Sequence, residues 1–291
     1  MGKNILIAAF PEVSALGKVV AKKLGASFSE INVKKFPDSE FHLLIDKNPK
    51  GLTVVILNSM AGNPDEKIIE TILVEGIARD YGAKKTILFA TYLPYMRQDT
   101  HFMNYDSFSA KHIIELFSGF DKIIAIDPHL HRIDDMHRLS RRAESITMDE
   151  VVANYIKKNF KSDFEIIGPD LESRQWSSKI AKMLNKKVFV LNKDRLGDAH
   201  IKQHSVKLDK GKNYIIIDDI ISTGKTLVGA LKMAKSQGAN KLTCIGIHGL
   251  LVSGCDKDIR KYSSLITTNT VPSKYSKIDV SDAIVKRLKK I

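Results

Sequence analysis

The 291-residue chain has few cysteines and no long apolar run. Its two cysteines, Cys244 and Cys255, match neither a CxxC pair nor a metal-ligand spacing, so we expect buried or free thiols in a reducing compartment. No stretch approaches the roughly 18 apolar residues of a membrane span. The start, MGKNILIAAFPEVS, lacks the small-residue cleavage pattern of a signal peptide. These absences predict a cytoplasmic protein without a membrane partner.

Acidic residues are also scarce relative to basic ones, with 33 against 46 and a formal charge of +13. A basic surplus favours anionic partners, either nucleic acid or phosphorylated small molecules, although a solvated lysine-rich surface explains it equally simply. The basic clusters at 137–142 and 286–290 are short, and no helix-turn-helix or stacking motif accompanies them. We therefore expect no nucleic-acid partner.

Apolar runs of strand length alternate with helix-like patterns along the chain. Continuous apolar runs indicate strands covered on both faces, so the alternation predicts an α/β fold with mainly parallel sheets flanked by helices. One helix is predicted at Glu66–Tyr81, with an apolar stripe formed by Ile69, Ile72, Leu73, Ile77 and Tyr81. The predicted strands are Ile5–Phe10, Val54–Asn58, Thr86–Ala90, Lys122–Ile126, Phe164–Ile167, Lys187–Leu191, Tyr214–Asp218 and Leu242–Gly249.

A weak internal repeat suggests two copies of one α/β unit. GLTVVILNS (51–59) parallels GKNYIIIDD (211–219), and DYGAKKTILFATYL (80–93) parallels SQGANKLTCIGIHGL (237–250). The alternative is the general likeness of any two βαβ units. A polar stretch before a new helix places the boundary near residue 147, which predicts domains at 1–147 and 148–291. Only the second copy carries an acid pair, because Asn58 and Ser59 stand where it has Asp218 and Asp219.

The stretch IIIDDIISTGKT (215–226) combines an acid pair with a turn suited to an anion. The predicted helix begins near Leu227, and ligands of open α/β sheets bind at the carboxyl ends of strands. Backbone N–H groups at the helix start form an anion site, to which three side chains can add hydroxyl donors. These side chains belong to Ser222, Thr223 and Thr226.

Despite the letters GKT, this turn is not a Walker P-loop. That motif needs a glycine at position 219, where the chain has Asp219. A ligand with two chemical faces explains the combination, since the turn can hold a phosphate while Asp218 and Asp219 accept hydrogen bonds from sugar hydroxyls. A pentose 5-phosphate has both groups. The pattern matches the phosphoribosyl diphosphate binding motif, against the simpler interpretation of a polar turn with a helix cap.

Four further stretches offer polar groups for a nucleotide, a metal and a phosphoryl group. In PYMRQD (94–99), Arg97 offers a planar fork for phosphate oxygens, and Gln98 and Asp99 can add polar contacts. In KKFPDSE (34–40), Phe36 could stack on a purine while Asp38 and Glu40 accept from an exocyclic amine. Either stretch could equally be a surface loop.

The other two stretches follow predicted strands. His129 in AIDPHLHRI (125–133) and Asp170 in IIGPDLES (166–173) could hold one Mg²⁺, although imidazole is an unusual Mg²⁺ ligand. His131 is the more ordinary histidine and is expected to be structural. In LNKDRLGD (191–198), Lys193 and Arg195 sit two apart in a predicted loop that could close over a transferring phosphoryl group. A solvated basic loop is the simpler alternative.

Taken in order, FPDSE, YMRQD, DPH, GPD, KDR and DDIISTGKT resemble the ribose-phosphate pyrophosphokinase family over nearly the whole chain, and DDIISTG and DPH resemble its archaeal-type branch. The resemblance implies two similar phosphoribosyltransferase-type domains and a homo-oligomer. It implies transfer of the β,γ-diphosphoryl group of ATP to the C1 hydroxyl of ribose 5-phosphate, giving phosphoribosyl diphosphate and AMP.

The same resemblance implies a role for each motif. ATP would contact His129, Arg97, Gln98 and Asp99, together with Phe36, Asp38 and Glu40 of a neighbouring subunit. Mg²⁺ would be the cofactor, held by His129 and Asp170, and Lys193 and Arg195 would be the catalytic pair. Ribose 5-phosphate would bind Asp218, Asp219, Ser222, Thr223, Gly224, Lys225 and Thr226.

The chain departs from the family pattern at three places. Lys225 stands where a small residue is usual, THFMNYDSFSAK (100–111) replaces a basic stretch, and ESRQW (172–176) replaces a small, glycine-rich continuation. Two other functions also stay open. One is a phosphoribosyltransferase acting on a nucleobase, which shares the 218–226 turn, and the other is a non-catalytic regulatory homologue.

Overall fold

The computed structural model describes residues 2–196, 200–204 and 207–291, with backbone only for residue 3, 192–196 and 200–204. The contacts divide the chain into two compact units. Unit 1 comprises residues 1–147, 270–272 and 280–291, and unit 2 comprises residues 148–269 and 273–279. Within the described residues, no helix combines the length and the apolar character needed to cross a bilayer.

Unit 1 is built on a seven-stranded sheet of order β3-β2-β1-β4-β5-β6-β7. Every neighbouring pair is parallel except β2 and β3, which form an antiparallel hairpin. The strands are β1 Ile5–Ala9, β2 Ser27–Lys35, β3 Phe41–Ile45, β4 Thr53–Ser59, β5 Lys85–Tyr92, β6 Lys122–Ile126 and β7 Ala143–Ile146. The helices between them are α1 Ser14–Leu24, α2 Pro64–Asp80 and α3 Ser109–Leu116.

Unit 2 is built on a six-stranded, all-parallel sheet of order β15-β14-β13-β12-β8-β9 and a separate antiparallel pair, β10 and β11. Its helices are α4 Asp149–Asn159, α5 Arg174–Leu184, α6 Lys225–Ser236 and α7 Cys255–Arg260, and the chain ends with α8 Ser281–Leu288. Its strands are β8 Phe164–Gly168, β9 Val188–Val190, β10 Asn192–Leu196, β11 His200–His204, β12 Asn213–Ile221, β13 Leu242–Gly249, β14 Ser264–Thr268 and β15 Ser276–Ile278.

The two sheets confirm the predicted repeat and the predicted fold class. Apart from β3, the two sheets have the same strand order, both along the chain and across the sheet. The order in unit 1 is β2-β1-β4-β5-β6-β7, and strand by strand it matches β9-β8-β12-β13-β14-β15 in unit 2. The segments that suggested the repeat, β4 with β12 and β5 with β13, occupy equivalent central positions. Their continuous apolar runs are buried because helices cover both faces of a parallel sheet.

The helix that follows the last strand of each sheet belongs to the other unit. α4 follows β7 of unit 1 but packs against α5 of unit 2, whereas α8 follows β15 of unit 2 but packs against α1 of unit 1. On α1, the ammonium of Lys23 donates to Ser281 Oγ at 2.7 Å and to Asp282 Oδ1 at 2.8 Å. The sequence predicted one continuous domain at 148–291, but this exchange assigns 280–291 to unit 1.

The face that α2 buries differs from the apolar stripe noted in the sequence. Ile68, Thr71, Val74 and Ala78 are buried. Ile69, Leu73 and Tyr81 of the predicted stripe are instead among the exposed large side chains. Apolar residues occur on both sides of this helix, so periodicity alone could not select the buried side. Continuous apolar runs also did not predict β2, because its residues alternate between buried and exposed.

An ion-pair cluster joins α8 to the sheet of unit 1. Glu144 on β7 pairs with Arg287 on α8 and, at 2.9 Å, with the ammonium of Lys122. Burial would raise the pKa of Glu144, but hydrogen bonds and charge attraction from Arg287 and Lys122 outweigh it and hold that pKa below its usual value. This carboxylate therefore adds stability at neutral pH.

We expect Glu144→Gln to destabilise the protein by about 1–3 kcal/mol at pH 7, because Arg287 and Lys122 lose a partly buried partner. A depressed carboxyl pKa contributes stability above the unfolded-state pKa of about 4.3, and this is lost as the pH falls through the folded-state value. The difference in the free energy of unfolding between wild type and variant, measured in urea, should therefore decrease below about pH 4.3. The control is Glu115→Gln, which changes an exposed ion pair on α3. If Glu144→Gln had the same free energy of unfolding as wild type at pH 7, the role of Glu144 would be contradicted.

Candidate active site

The acid pair of unit 2 lies inside a strand rather than at its end. β12 continues through Asp218 and Asp219 to Ile221, three residues beyond the predicted end, because the ladder to β13 continues to Gly249. Asp219 is buried and Asp218 is half-buried. Asp219 Oδ1 accepts from the N–H of Ile220 at 2.8 Å. Because β12 ends soon after Asp219, at Ile221, both carboxylates still lie near the carboxyl edge of the sheet, where ligands of such folds bind.

A tight turn follows the acid pair and opens a helix. Only residues 222–224 separate β12 from α6, which starts at Lys225 and not near Leu227 as predicted. Gly224 is the N-cap with φ +69°, a left-handed conformation that favours glycine. The first intrahelical bond is donated by Val228 to Gly224 O at 2.8 Å, so the N–H groups of 225–227 precede the helical ladder.

These features have the chemistry of the predicted anion site, whose occupancy by an anion stays a prediction. The N-terminal N–H groups of a helix and its dipole favour an anion. Thr223 and Lys225 are exposed beside them, and Ser222 and Thr226 are half-buried. A lysine in the first helical turn is unfavourable to the helix dipole by itself, so an anion at this position would offset a local electrostatic cost.

The segment after β13 holds the turn in place. The carbonyl of Ser222 accepts from the N–H of Val252 at 3.0 Å and from the thiol of Cys255 at 3.1 Å. Burial raises the pKa of Cys255, which keeps its thiol protonated and able to donate. A Cβ on Gly224 would lie 3.0 Å from Cys255 Cβ. Sequence reasoning missed Cys255, since a lone cysteine carries no pattern.

Asp170 lies at the same edge of the sheet. It follows β8, which pairs with β12, and parallel neighbours end on the same side. Its carboxylate Oδ1 accepts from the N–H of Ser173 at 2.9 Å. Asp170 is half-buried and supplies oxygen, the ligand type that Mg²⁺ prefers.

The equivalent position in unit 1 lacks the chemistry of an anion site. Asn58 and Ser59 end β4 and are buried, and Asn58 Nδ2 donates to Thr71 Oγ1 at 2.8 Å. The following helix, α2, carries Asp65 and Glu66 in its first turn, which would repel a phosphate. Unit 1 therefore has Asn58 and Ser59 at the strand end where unit 2 has its acid pair, and it does not combine such a pair with an anion-suited turn.

The RQD motif of unit 1 divides into one exposed cation and two structural side chains. Arg97 is exposed. Gln98 Oε1 instead accepts from Ser109 Oγ at 2.6 Å, and Asp99 is buried. Of the three, Arg97 is the most exposed, and the ATP contacts predicted for all three residues stay predictions.

The carboxylate of Asp99 fixes the loop that follows β6. Asp99 Oδ2 accepts from the N–H groups of His131 at 2.7 Å and Arg132 at 2.6 Å, and Oδ1 lies 3.3 Å from Arg132 Nη1. Burial would raise the pKa of Asp99, but these hydrogen bonds lower it overall, so it stays ionised. The Arg132 guanidinium also lies 4.5 Å from the ring centroid of Phe102. Asp99 therefore acts as a positioning residue in this geometry, a role that its sequence motif did not indicate.

The two histidines of the DPHLH motif form a pair. His129 Nε2 lies 2.8 Å from His131 Nε2, and the ring planes are perpendicular with centroids 4.2 Å apart. Both rings are half-buried. The sequence suggested a structural role for His131. In the structure its ring contacts the ring of His129, which is the predicted metal ligand. His129 and Asp170 fall in different units, so their pairing stays a prediction.

Two predicted motifs lie on hairpins. Phe36, Asp38 and Glu40 occupy the exposed turn between β2 and β3, closed by Phe36 N donating to Glu40 O at 2.8 Å. Lys193 and Arg195 lie on β10, which is a strand rather than the predicted loop. Their side chains lie outside the described part of the chain, so their catalytic role stays a prediction.

Comparison with known proteins identifies the family. A model of the N-terminal domain of ribose phosphate pyrophosphokinase matches residues 5–120, and a phosphoribosyl transferase domain model matches residues 139–282. The chain is 30% identical over 281 residues to the ribose-phosphate pyrophosphokinase of Saccharolobus solfataricus, covering 93% of this chain and 96% of the relative. The chain belongs to the ribose-phosphate pyrophosphokinase family.

Other family members agree with this assignment. The ribose-phosphate pyrophosphokinase of Methanopyrus kandleri is 27% identical over 292 residues, covering 99% of both chains. These archaeal relatives confirm the resemblance to the archaeal-type branch. The crystal structure of phosphoribosylpyrophosphate synthetase from Mycobacterium smegmatis has the same fold, with a TM-score of 0.86, 21% identity and coverage of 99% of this chain and 98% of that one.

We expect Gly224→Ala to cost more stability than Gly211→Ala. Both glycines have positive φ, which costs an alanine about 1–2 kcal/mol. A Cβ at 211 would meet open space, whereas one at 224 would press on Cys255. Urea unfolding of the two variants measures the difference. Equal losses would show that the turn is not held by the segment after β13.

We expect Asp99→Asn to loosen the loop after β6 and to cost about 1–3 kcal/mol, because the buried network loses its negative charge and one of its two acceptor oxygens. Hydrogen exchange at the amides of His131 and Arg132 should accelerate, as detected by mass spectrometry. Asp38→Asn is the matched control, since it changes an exposed carboxylate of the same unit. Unchanged exchange in the Asp99 variant would refute the positioning role.

Proposed function

We propose that the protein is a ribose-phosphate diphosphokinase. It transfers the β,γ-diphosphoryl group of ATP to the C1 hydroxyl of ribose 5-phosphate and forms phosphoribosyl diphosphate and AMP. The observation that carries the proposal is the acidic turn of unit 2, which joins two carboxylates to a helix N-terminus. The family assignment supports the same reaction.

Ribose 5-phosphate satisfies both faces of this turn. Its phosphate binds the N–H groups of residues 225–227, with hydroxyl contacts from Ser222, Thr223 and Thr226 and charge from Lys225. Its ribose hydroxyls donate to Asp218 and Asp219. The hydrogen bonds from the Val252 N–H and the Cys255 thiol to the Ser222 carbonyl hold the turn, which reduces the entropy lost on binding.

ATP binds through unit 1 and a second copy of the chain. Arg97 is the exposed cation of its motif and pairs with phosphate oxygens. The exposed hairpin turn with Phe36, Asp38 and Glu40 belongs to the neighbouring copy in this proposal. Self-association is supported by the exposure of this turn and of Ile69 and Leu73 on α2, and mass measurement in solution tests it.

Mg²⁺ is held by His129 and Asp170 in this proposal, and the carboxylates of unit 2 supply further oxygen donors. Asp170, Asp218 and Asp219 provide oxygen at one sheet edge, and Mg²⁺ is commonly held by one or two carboxylates together with substrate phosphates. The ion would neutralise charge that develops on the transferring group. The imidazole of His129 is a less usual Mg²⁺ ligand than these oxygen atoms.

Lys193 and Arg195 supply positive charge to the transferring diphosphoryl group in this proposal, since phosphoryl transfer depends on positioning and charge neutralisation. The reaction takes place in the cytoplasm, in agreement with the two cysteines, both free thiols.

We expect purified protein with Mg²⁺, ATP and ribose 5-phosphate to produce AMP. Lys193→Ala should lower kcat by roughly 10²–10³-fold, the scale seen when one transition-state contact is removed. Lys187→Ala, an exposed lysine six residues earlier, should leave kcat unchanged.

Chromatographic detection of AMP and phosphoribosyl diphosphate checks both expectations. No AMP across a range of phosphate and metal concentrations would defeat the proposal. Pyrophosphate release from phosphoribosyl diphosphate that depends on a nucleobase and not on ATP would indicate a phosphoribosyltransferase instead. Full activity of Lys193→Ala would exclude the catalytic role of that lysine.

A further inference from the structure

Tyr95 has a backbone conformation that tyrosine rarely adopts. Its φ is +66°, in the left-handed region, which is unfavourable for a bulky side chain. Pro94 precedes it, and a proline followed by a residue of positive φ is the arrangement of a type II turn, in which glycine usually occupies the position of positive φ. Such strain persists only where the surrounding structure holds it, and it occurs often at binding sites.

Buried neighbours and a backbone hydrogen bond anchor the turn on both sides. Leu93 and Met96 are buried in the apolar core. After the turn, Gln98 O accepts from the N–H of Ala110 at 3.1 Å. Only a short path connects these anchors, and the left-handed φ of Tyr95 is part of that path. The conformation of Tyr95 therefore helps to set the direction of the exposed residues between the anchors.

One hydrogen bond connects the Tyr95 side chain to another loop of unit 1. The Tyr95 hydroxyl donates to Asp65 Oδ1, in the first turn of α2. This bond raises the pKa of Tyr95, so the hydroxyl stays protonated and remains a donor at neutral pH. Because α2 follows β4, and β4 and β5 are parallel neighbours, the loops after these strands lie on the same side of the sheet. The bond thus ties the turn to the start of a helix.

Arg97 is the cation that this turn presents. It lies two residues after Tyr95 and is exposed, and the buried Met96 separates the two side chains. Arginine binds phosphate oxygens through a planar fork, so its direction matters more than its charge alone. An arginine whose backbone is already fixed also loses less conformational freedom on binding.

We propose that Tyr95 is a positioning residue for the donor nucleotide. Its hydrogen bond to Asp65 holds the turn in the left-handed form, and that form directs Arg97 toward the phosphates of ATP. Tyr95 acts through Arg97 and not by contact with ATP. The inference rests on the proposed function, which assigns the ATP phosphates to Arg97, but ATP binding tests it without turnover.

The test is calorimetric titration of the full chain with ATP in the absence of ribose 5-phosphate. We expect Tyr95→Phe, which retains the ring and loses the hydroxyl, to weaken ATP binding by about threefold or more. In an Arg97→Ala background the same substitution should have no further effect, because effects that pass through one contact are not additive. In the AMP assay, Tyr95→Phe should raise the KM for ATP and leave kcat unchanged.

Two further variants separate positioning from general loosening. Tyr105 is also a tyrosine of unit 1 with positive φ, at +63°, and it is fully exposed. Tyr105→Phe should therefore leave ATP binding unchanged. Tyr95→Gly introduces the residue that such a turn favours and removes the bond to Asp65, so it should stay folded and still weaken ATP binding. The thermal midpoint of each unliganded variant shows whether it is folded.

Different results would overturn the inference or the proposed function. Wild-type ATP affinity in a folded Tyr95→Phe variant, or an equal loss in Tyr105→Phe, would overturn the inference. Additive losses from Tyr95→Phe and Arg97→Ala would show that Tyr95 does not act through Arg97. The expected coupling in a protein that forms no AMP would support the inference and count against the proposed function alone. If wild type did not bind ATP, both would be wrong.

Discussion

The parallel pairing of β12 with β8 and β13 is the constraint on which the site of unit 2 depends. Because parallel neighbours end on the same side, Asp170 and the acid pair of β12 reach one edge of the sheet. The segment after β13 reaches that edge too, and its Val252 N–H and Cys255 thiol occupy the carbonyl of Ser222. The turn is thus held through its carbonyl, while the N–H groups that open α6 are left for an anion.

The repeated fold contains two such sheet edges, and they differ in the charge and type of their side chains. In unit 1, the helix after the central strand begins with acidic residues, and the nearby Lys67 pairs with Glu12 at 2.5 Å and Glu70 at 2.9 Å. A lysine neutralised by two carboxylates has little charge to offer a phosphate. Unit 1 instead presents Arg97 and the histidine pair on the loops after β5 and β6. One topology therefore carries two kinds of polar site.

Sequence patterns predicted the central strands well and their polar neighbours less well. β6 and β13 match the predicted bounds, because a strand buried on both faces is a continuous apolar run. The buried side of α2 was not predictable from periodicity, since both sides of that helix carry apolar residues. The anchoring of the His131 loop by Asp99 was not predictable, because a motif cannot show which backbone N–H groups lie beside a carboxylate once the chain is folded, and the ATP contact of Asp99 stays a prediction.

The sequence alone determined the α/β class, the repeat, the order of the motifs and the acid pair before a turn rich in Ser, Thr and Gly, because each depends on residues close together in the chain. Tertiary structure decided what depends on distant segments. It brought the thiol of Cys255 to the carbonyl of Ser222, Asp99 to the loop of His131, and α8 onto α1. Such contacts depend on which loops share a sheet edge, and local spacing does not encode that.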